Sequence, residues 1–261
     1  AGSGHRATRM KPTAWQDRVL RGFDRAAERY DRSARLQRSV AWRLAQLTRR
    51  EGIPEGLWVD LGTGTGHLAT ALEQLHPGHK VQRLDGSQAM LRGHPDEAEV
   101  LHWDLTTGLP DWSEAPTLLA SSFCLHWLPE PQRCLQQWIR RLSPDGLLAV
   151  ALPVEGCFPQ WHESARRCRV RCTALPFPST DALLRTIPAQ QLRMTHRVSY
   201  TVSSSSLPLL LKPLRRIGAG TSPQSPLPLR DWRRLQHEWS DRQNDGQLRL
   251  TWVIQLLLIR G

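Results

Sequence analysis

Between residues 14 and 50 apolar positions recur at three- and four-residue steps. Phe23, Ala26, Ala27, Tyr30 and Ala34 share one face, and Leu36, Val40, Leu44 and Leu47 share another. This spacing predicts two amphipathic helices with a break near Asp31–Ser33. The pattern then changes. "LWVDLG" (57–62) is a continuous apolar run of strand length, and His67 to Leu75 returns to the helical period. "KVQRLDGS" (80–87), "EVLHWDL" (99–105), "APTLLASSF" (115–123) and "LLAVALP" (147–153) read as four more strands, and 130–142 as an amphipathic helix stopped by "SPDG". Strands and helices alternating at this spacing predict a parallel, doubly wound sheet. Strands buried on both faces should be apolar throughout, which 147–152 satisfies and 80–85 only partly.

Beyond 153 the alternation stops. Residues 155–187 predict helix with proline breaks, 195–204 a strand, 206–217 a helix, 218–228 a Gly/Ser/Pro loop, 229–238 a helix, and "LTWVIQLLLIR" a closing strand. The expected fold class is α/β, a seven-stranded, mostly parallel Rossmann-like sheet with N-terminal helices. Segments 155–194 and 205–245 are expected to form a helical lid over its carboxyl edge rather than a second domain. Residues 13–261 are thus read as one domain, and 1–12, small and basic, as a tail or expression remnant.

With 39% hydrophobic residues among 261, the chain can bury a sizeable core. No run reaches the roughly 18 apolar residues of a membrane span, and no signal segment is visible, so a cytoplasmic protein is expected. Five cysteines form an odd set that suits a reducing compartment. Cys157, His162, Cys168 and Cys172 match no common zinc spacing, and buried thiols are expected instead. Arginine supplies nearly all of the basic charge, since lysine occurs only at 11, 80 and 212, and the net charge is +11. Such a surface attracts acidic partners, although composition bias alone would also produce it.

The chemistry centres on "WVDLGTGTGHLATAL" (58–72), where Gly62, Gly64 and Gly66 follow an acidic strand. A dinucleotide fingerprint needs its third glycine where His67 stands, and no Gly-Lys-Ser/Thr follows to make a P-loop. This G-x-G-x-G turn resembles motif I of class I S-adenosylmethionine (SAM) methyltransferases. The resemblance implies that the aminoacyl tail of SAM lies on the glycine turn and that Asp60 accepts from its ammonium. The ribose diol wants a carboxylate ending the second strand, where Asp85 stands, and the adenine amine an acceptor after the third, where Asp104 stands. The plain alternatives are a turn cap for Asp104 and a helix N-cap for Asp85. The cofactor set expected is Asp60, Gly62, Thr63, Gly64, Gly66, Asp85, Gly86, Ser87, Met90, Asp104, Leu105 and Ser121, with S-adenosyl-L-homocysteine as the product and no metal.

A closer resemblance covers nearly the whole chain. "RGFDRAAERYDRSARLQRSVAWRL" (21–44), "SSFCLHWLPEPQRCLQQWIRRLSPDGLLAVALP" (121–153), "LLLKPLRRIGAG" (209–220) and "DGQLRLTWVIQLLLIRG" (245–261) are similar to the malonyl-[acyl-carrier protein] O-methyltransferases of biotin synthesis. Thr63, Ser122 and Trp252 stand where that family commonly has cysteine, asparagine and tyrosine. The resemblance implies methyl transfer from SAM to the free carboxylate of a malonyl thioester on acyl-carrier protein. A monomer is expected, with neither a membrane nor nucleic acid among its partners. It makes Tyr30, His126 and Lys212 the catalytic candidates: a lid hydroxyl, a group after the fourth strand, and a cation for the substrate acid. Each has a plain alternative, as helix packing, a structural histidine or a solvated lysine. Rival functions are methylation of another small acid or amine, methylation of RNA, and SAM binding without turnover. Against RNA, "SSFCLHW" stands where base-methylating enzymes carry Asn/Asp-Pro-Pro-aromatic.

Overall fold

The computed structural model describes residues 14–220 and 224–261, so the expected tail at 1–12 lies outside them. Two helices open the fold, α1 (Ala14–Ser33) and α2 (Arg35–Thr48), hinged at Ala34, one residue beyond the expected break. Then come β1 (Trp58–Leu61), α3 (His67–Leu75), β2 (Val81–Asp85), α4 (Gln88–Leu91), β3 (Val100–His102), β4 (Leu118–Ser122), α5 (Pro131–Arg141) and β5 (Leu147–Pro153). The last third holds α6 (Pro159–Arg167), α7 (Thr180–Leu184), β6 (Leu192–Ser204), α8 (Leu207–Leu210), α9 (Lys212–Arg216), α10 (Leu229–His237) and β7 (Leu248–Arg260).

The seven strands form one sheet in the order β3-β2-β1-β4-β5-β7-β6. Strands β1 to β5 are parallel, and β7 runs antiparallel between β5 and β6. Winding goes outward from β1 to β3, then restarts on the other side at β4. Where that order reverses, the loops after β1 and β4 diverge and leave a crevice at their carboxyl ends, the usual ligand position in such sheets.

Burial explains the strand patterns. All seven residues of β5 are buried, as a central strand covered on both faces requires. On β7, Ile254, Leu256 and Leu258 join the core under α2 and α3, while Leu257 and Ile259 join the core under α5. The polar break in β2 is Arg83, which points inward and pairs with Glu73 of α3 at 2.6 Å. A buried arginine needs such a partner because an unpaired charge in the interior is strongly disfavoured. The sheet's edges are β3 and the half-exposed β6.

The last third departs from its expected elements. The helix expected over 206–217 is two short turns, α8 and α9, parted at Leu211. Pro213, without an N–H, cannot continue the first. Strand β6 begins at Leu192, inside the segment expected to be lid. Helices α6 and α7 are parted by an irregular stretch carrying Pro176 and Pro178. Helices α6 and α8 pack on β7.

Candidate functional site

The chain leaves β1 through the glycine turn, whose Gly62 and Thr63 amides both donate to the Leu84 carbonyl of β2. Gly62 has φ +71°, and a Cβ on it would collide with Cys124 at the end of β4. Only glycine allows β1 and β4 to approach so closely there. Gly64, at φ +55°, has open space where a side chain would stand, and it lines a cleft.

Asp60 is buried at the start of that cleft. Its Oδ2 accepts from the Thr63 hydroxyl (2.7 Å) and the Ala69 amide (3.1 Å), whereas its Oδ1 has no partner. Burial raises its pKa to about 7, partly offset by those hydrogen bonds and by Arg83. Thr63 thus orients Asp60 while also lining the cleft. Asp85 closes β2 and accepts from the Gly64 amide (2.7 Å) and the Ser87 amide (2.8 Å); burial raises its pKa as well. Asp104 caps the short 3-10 turn Leu105–Thr107 by accepting from Thr106 at 2.9 Å, and it lines the same cleft. The turn cap and the cleft position are therefore held together.

Of the expected cofactor set, Asp60, Gly62, Thr63, Gly64, Asp85, Gly86, Met90, Asp104 and Leu105 converge on this cleft. Three do not line it. Gly66 starts α3 with its carbonyl. Ser87 is a buried N-cap of α4, bonded to Met90 and to Asp24. Ser121 gives its hydroxyl to the Leu61 carbonyl (2.8 Å), and its neighbour Ser122 faces the cleft instead. Alternation along a strand sends adjacent side chains to opposite faces, so the choice between them turned on one residue of register. Sequence reasoning missed the roof: Gln16, Val19, Leu20 and Phe23 of α1, with Gln37 of α2. Their helical periodicity was visible, but it reads the same for a helix packed on a core.

A second cavity, of about 600 Å³, lies beyond the cleft under the elements of the last third. Its walls are mainly rings and aliphatic chains, among them Phe158, Trp161, Phe177, Leu214, Trp232 and Trp252. Phe23, Tyr30, Gln37, Phe123 and Trp127 line both spaces and so mark where they meet. Tyr30 stands at that junction, and burial, with the Asp85 and Asp31 carboxylates, drives its phenol pKa well up. His126 lines the second cavity with its Nδ1 unpartnered, and burial lowers its pKa to about 3, so the ring is neutral. Lys212 corrects the expectation made for it. Its side chain is exposed and lines neither space, because α9 turns its apolar Leu214 inward. Among the described residues no group of three or more His, Cys, Asp or Glu could hold a metal.

These residues suit the charged parts of SAM. The lone Oδ1 of Asp60 is a buried acceptor that an ammonium would complete, and Gly64 leaves room for a ligand tail over the turn. The carboxylates ending β1 and β2 lie along the same cleft as Asp104 beyond β3.

A family profile described as "Methyltransferase domain" matches residues 59–150. The malonyl-[acyl-carrier protein] O-methyltransferase of Alcanivorax borkumensis is 30% identical over 251 residues, covering 92% of this chain and 84% of that protein. A trans-aconitate 2-methyltransferase of Mycobacterium tuberculosis is 35% identical over 133 residues, and covers 50% of this chain and 47% of that one. Among solved structures, a putative methyltransferase from Bacillus halodurans superposes with a TM-score of 0.58 at 14% identity, covering 83% of this chain and 97% of its own. The Bacillus subtilis YcgJ protein gives 0.57 at 12% identity, covering 84% and 98%. These two likenesses bear on the fold alone.

Proposed function

From the premise that this chain belongs to the malonyl-[acyl-carrier protein] O-methyltransferase family of class I SAM-dependent methyltransferases, we propose that it esterifies the free carboxylate of a malonyl thioester on acyl-carrier protein, a step of biotin synthesis. The observation that carries this reading is the extent of the likeness. At 92% of the chain it takes in most of the walls of the second cavity as well as the cofactor cleft.

Bound SAM supplies an electrophilic methyl on a cationic sulfur, and that charge also offsets the incoming carboxylate. Asp60 takes the ammonium, Asp85 the ribose diol and Asp104 the adenine amine. Helix α1 roofs the cleft and excludes water. Tyr30 and His126 meet the acceptor: a phenol kept protonated by burial and a neutral imidazole are hydrogen-bond donors, and they hold the carboxylate in line without themselves titrating. The acceptor is already anionic at neutral pH, so no general base is needed. The barrier falls through alignment, where proximity contributes roughly 7–11 kcal/mol in good intramolecular cases. An amine acceptor fits less well. It must lose a proton, and neither candidate base suits: Tyr30 at the junction is a phenol that is slow to ionise, and His126 in the second cavity is an imidazole too weakly basic to accept at neutral pH.

The test is transfer of labelled methyl from SAM to malonyl-carrier protein, malonyl-coenzyme A, free malonate and trans-aconitate. A base-labile methyl ester on the malonyl thioesters is expected. Label on trans-aconitate with none on either thioester would overturn the reading.

A further inference from the structure

The mouth of the second cavity carries arginines from three separate elements: Arg18 of α1, Arg215 of α9 and Arg233 of α10. All three side chains are exposed. Some arginines of the chain are held by carboxylates: Arg133 by Glu130, Arg141 by Asp111, Arg166 and Arg167 by Glu163, and Arg260 by Glu51. The three at this mouth are not. Among the described residues none of the three has a carboxylate within ion-pair distance. Arg18 lies over the Trp15 ring at 5.5 Å, and Arg215 donates to the Pro208 carbonyl at 3.2 Å. Like charges gathered at one opening repel, and so do not of themselves stabilise the fold.

The same rim also carries exposed apolar side chains. Leu229, 66% exposed, lines the mouth, and Leu209, 49% exposed, adjoins the lining residue Pro208. Exposed apolar side chains beside arginine are the composition of a protein interface. The cavity behind it leads inward to Tyr30 and Phe123, where the two spaces meet. A thioester entering at the arginines would therefore deliver its acyl end to the junction.

Resting on the function proposed above, we propose that this rim is the docking face for the acidic carrier protein, with Arg215 and Arg233 as its principal contacts. The arginines at 166 and 167, although inside the segment expected to form the lid, are committed to Glu163 and take no part. Long-range attraction between the rim and an acidic partner speeds encounter and weakens as salt screens it.

The experiment compares wild type with the double variant Arg215→Glu, Arg233→Glu on two substrates, malonyl-carrier protein and the malonyl thioester of N-acetylcysteamine. Far-ultraviolet circular dichroism and SAM affinity check that the variant is folded, and Arg215→Gln, Arg233→Gln serves as a milder pair. The expected result is a loss of about tenfold or more in kcat/KM for the carrier substrate, arising in KM, with the small thioester unchanged. The wild-type carrier reaction should slow with salt, and the variant should lose that dependence. Equal kcat/KM for wild type and variant on the carrier, or equal losses on both substrates, would overturn the proposal. Anisotropy of labelled malonyl-carrier protein reads docking without turnover. Binding that reversal abolishes, without any methyl transfer, would uphold the docking face and sink the proposed reaction.

Discussion

Asp60 shows how one residue can be held ready for a ligand. Its carboxyl is buried, its Oδ1 has no partner, and its pKa is raised from 3.8 to about 7. A raised pKa means that the folded protein prefers the protonated form. The stability this contributes is complete below the unfolded value and is lost as pH rises through about 7. The melting temperature of the ligand-free protein should therefore fall across that interval more steeply in wild type than in Asp60→Asn. A cationic ammonium favours the ionised carboxylate, so S-adenosylhomocysteine should bind more tightly as pH rises to about 7, and then level off. Below that point the gain approaches about tenfold per pH unit for one linked proton. Calorimetry over this range checks it, and Asp60→Asn should flatten the curve. Asp85 does two tasks at once, bonding the Gly64 and Ser87 amides while facing the cleft. Asp85→Ala should weaken SAM binding by about 1–3 kcal/mol, the usual cost of stranding a buried polar group, as read by titration on a variant that is still folded.

At the scale of elements, α1 is latched to the sheet at two points along its length. Asp24 accepts from the Ser87 hydroxyl at 2.6 Å, and Asp31 accepts from the Thr65 hydroxyl at 2.6 Å. His67 Nε2 lies 3.1 Å from the same Asp31 oxygen, at ion-pair distance. Next to the latches, Phe23 and Tyr30 reach the cleft. The helix is otherwise strongly polar on its outer face, with few fully buried residues, Gln16, Val19, Gly22 and Ala26. An element held by so little buried surface opens at low free-energy cost. Replacing both Asp24 and Asp31 with alanine should leave the sheet folded but speed amide exchange across 14–33 and raise the KM for SAM. Exchange mass spectrometry and kinetics on the same sample would show both, and unaltered exchange in α1 would mean that its apolar face alone fastens it.

For the whole molecule, β7 is one of the strands that join the two cores. Leu257 and Leu258 are adjacent and point to opposite faces, one toward α5 and the other toward α2 and α3. Each is almost wholly buried. Leu257→Ala and Leu258→Ala should each cost about 2–5 kcal/mol. If the chain is one cooperative domain, both should shift a single urea transition rather than split it, as fluorescence and circular dichroism can show together. A transition that split in either variant would mean that the last third unfolds separately.

The sequence by itself determined the alternation of β1 to β5 with their helices, the glycine turn, and the acids Asp60, Asp85 and Asp104. All of these rest on local rules: hydrophobic period, strand length, and a turn that only glycine can make. It also carried the closing strand, because 13 residues of β7 hold an apolar run that only a central position can bury. Tertiary structure decided the rest. Whether Ser121 or Ser122 faces the cleft depended on strand register, and the inward turn of Leu214, which leaves Lys212 outside, depended on how α9 docks. The roof from α1, the depth of the second cavity and the gathering of Arg18, Arg215 and Arg233 at its mouth join residues about 200 positions apart. No local pattern encodes such a meeting, because each helix reads as amphipathic whichever surface it covers. Only packing assigns the surface.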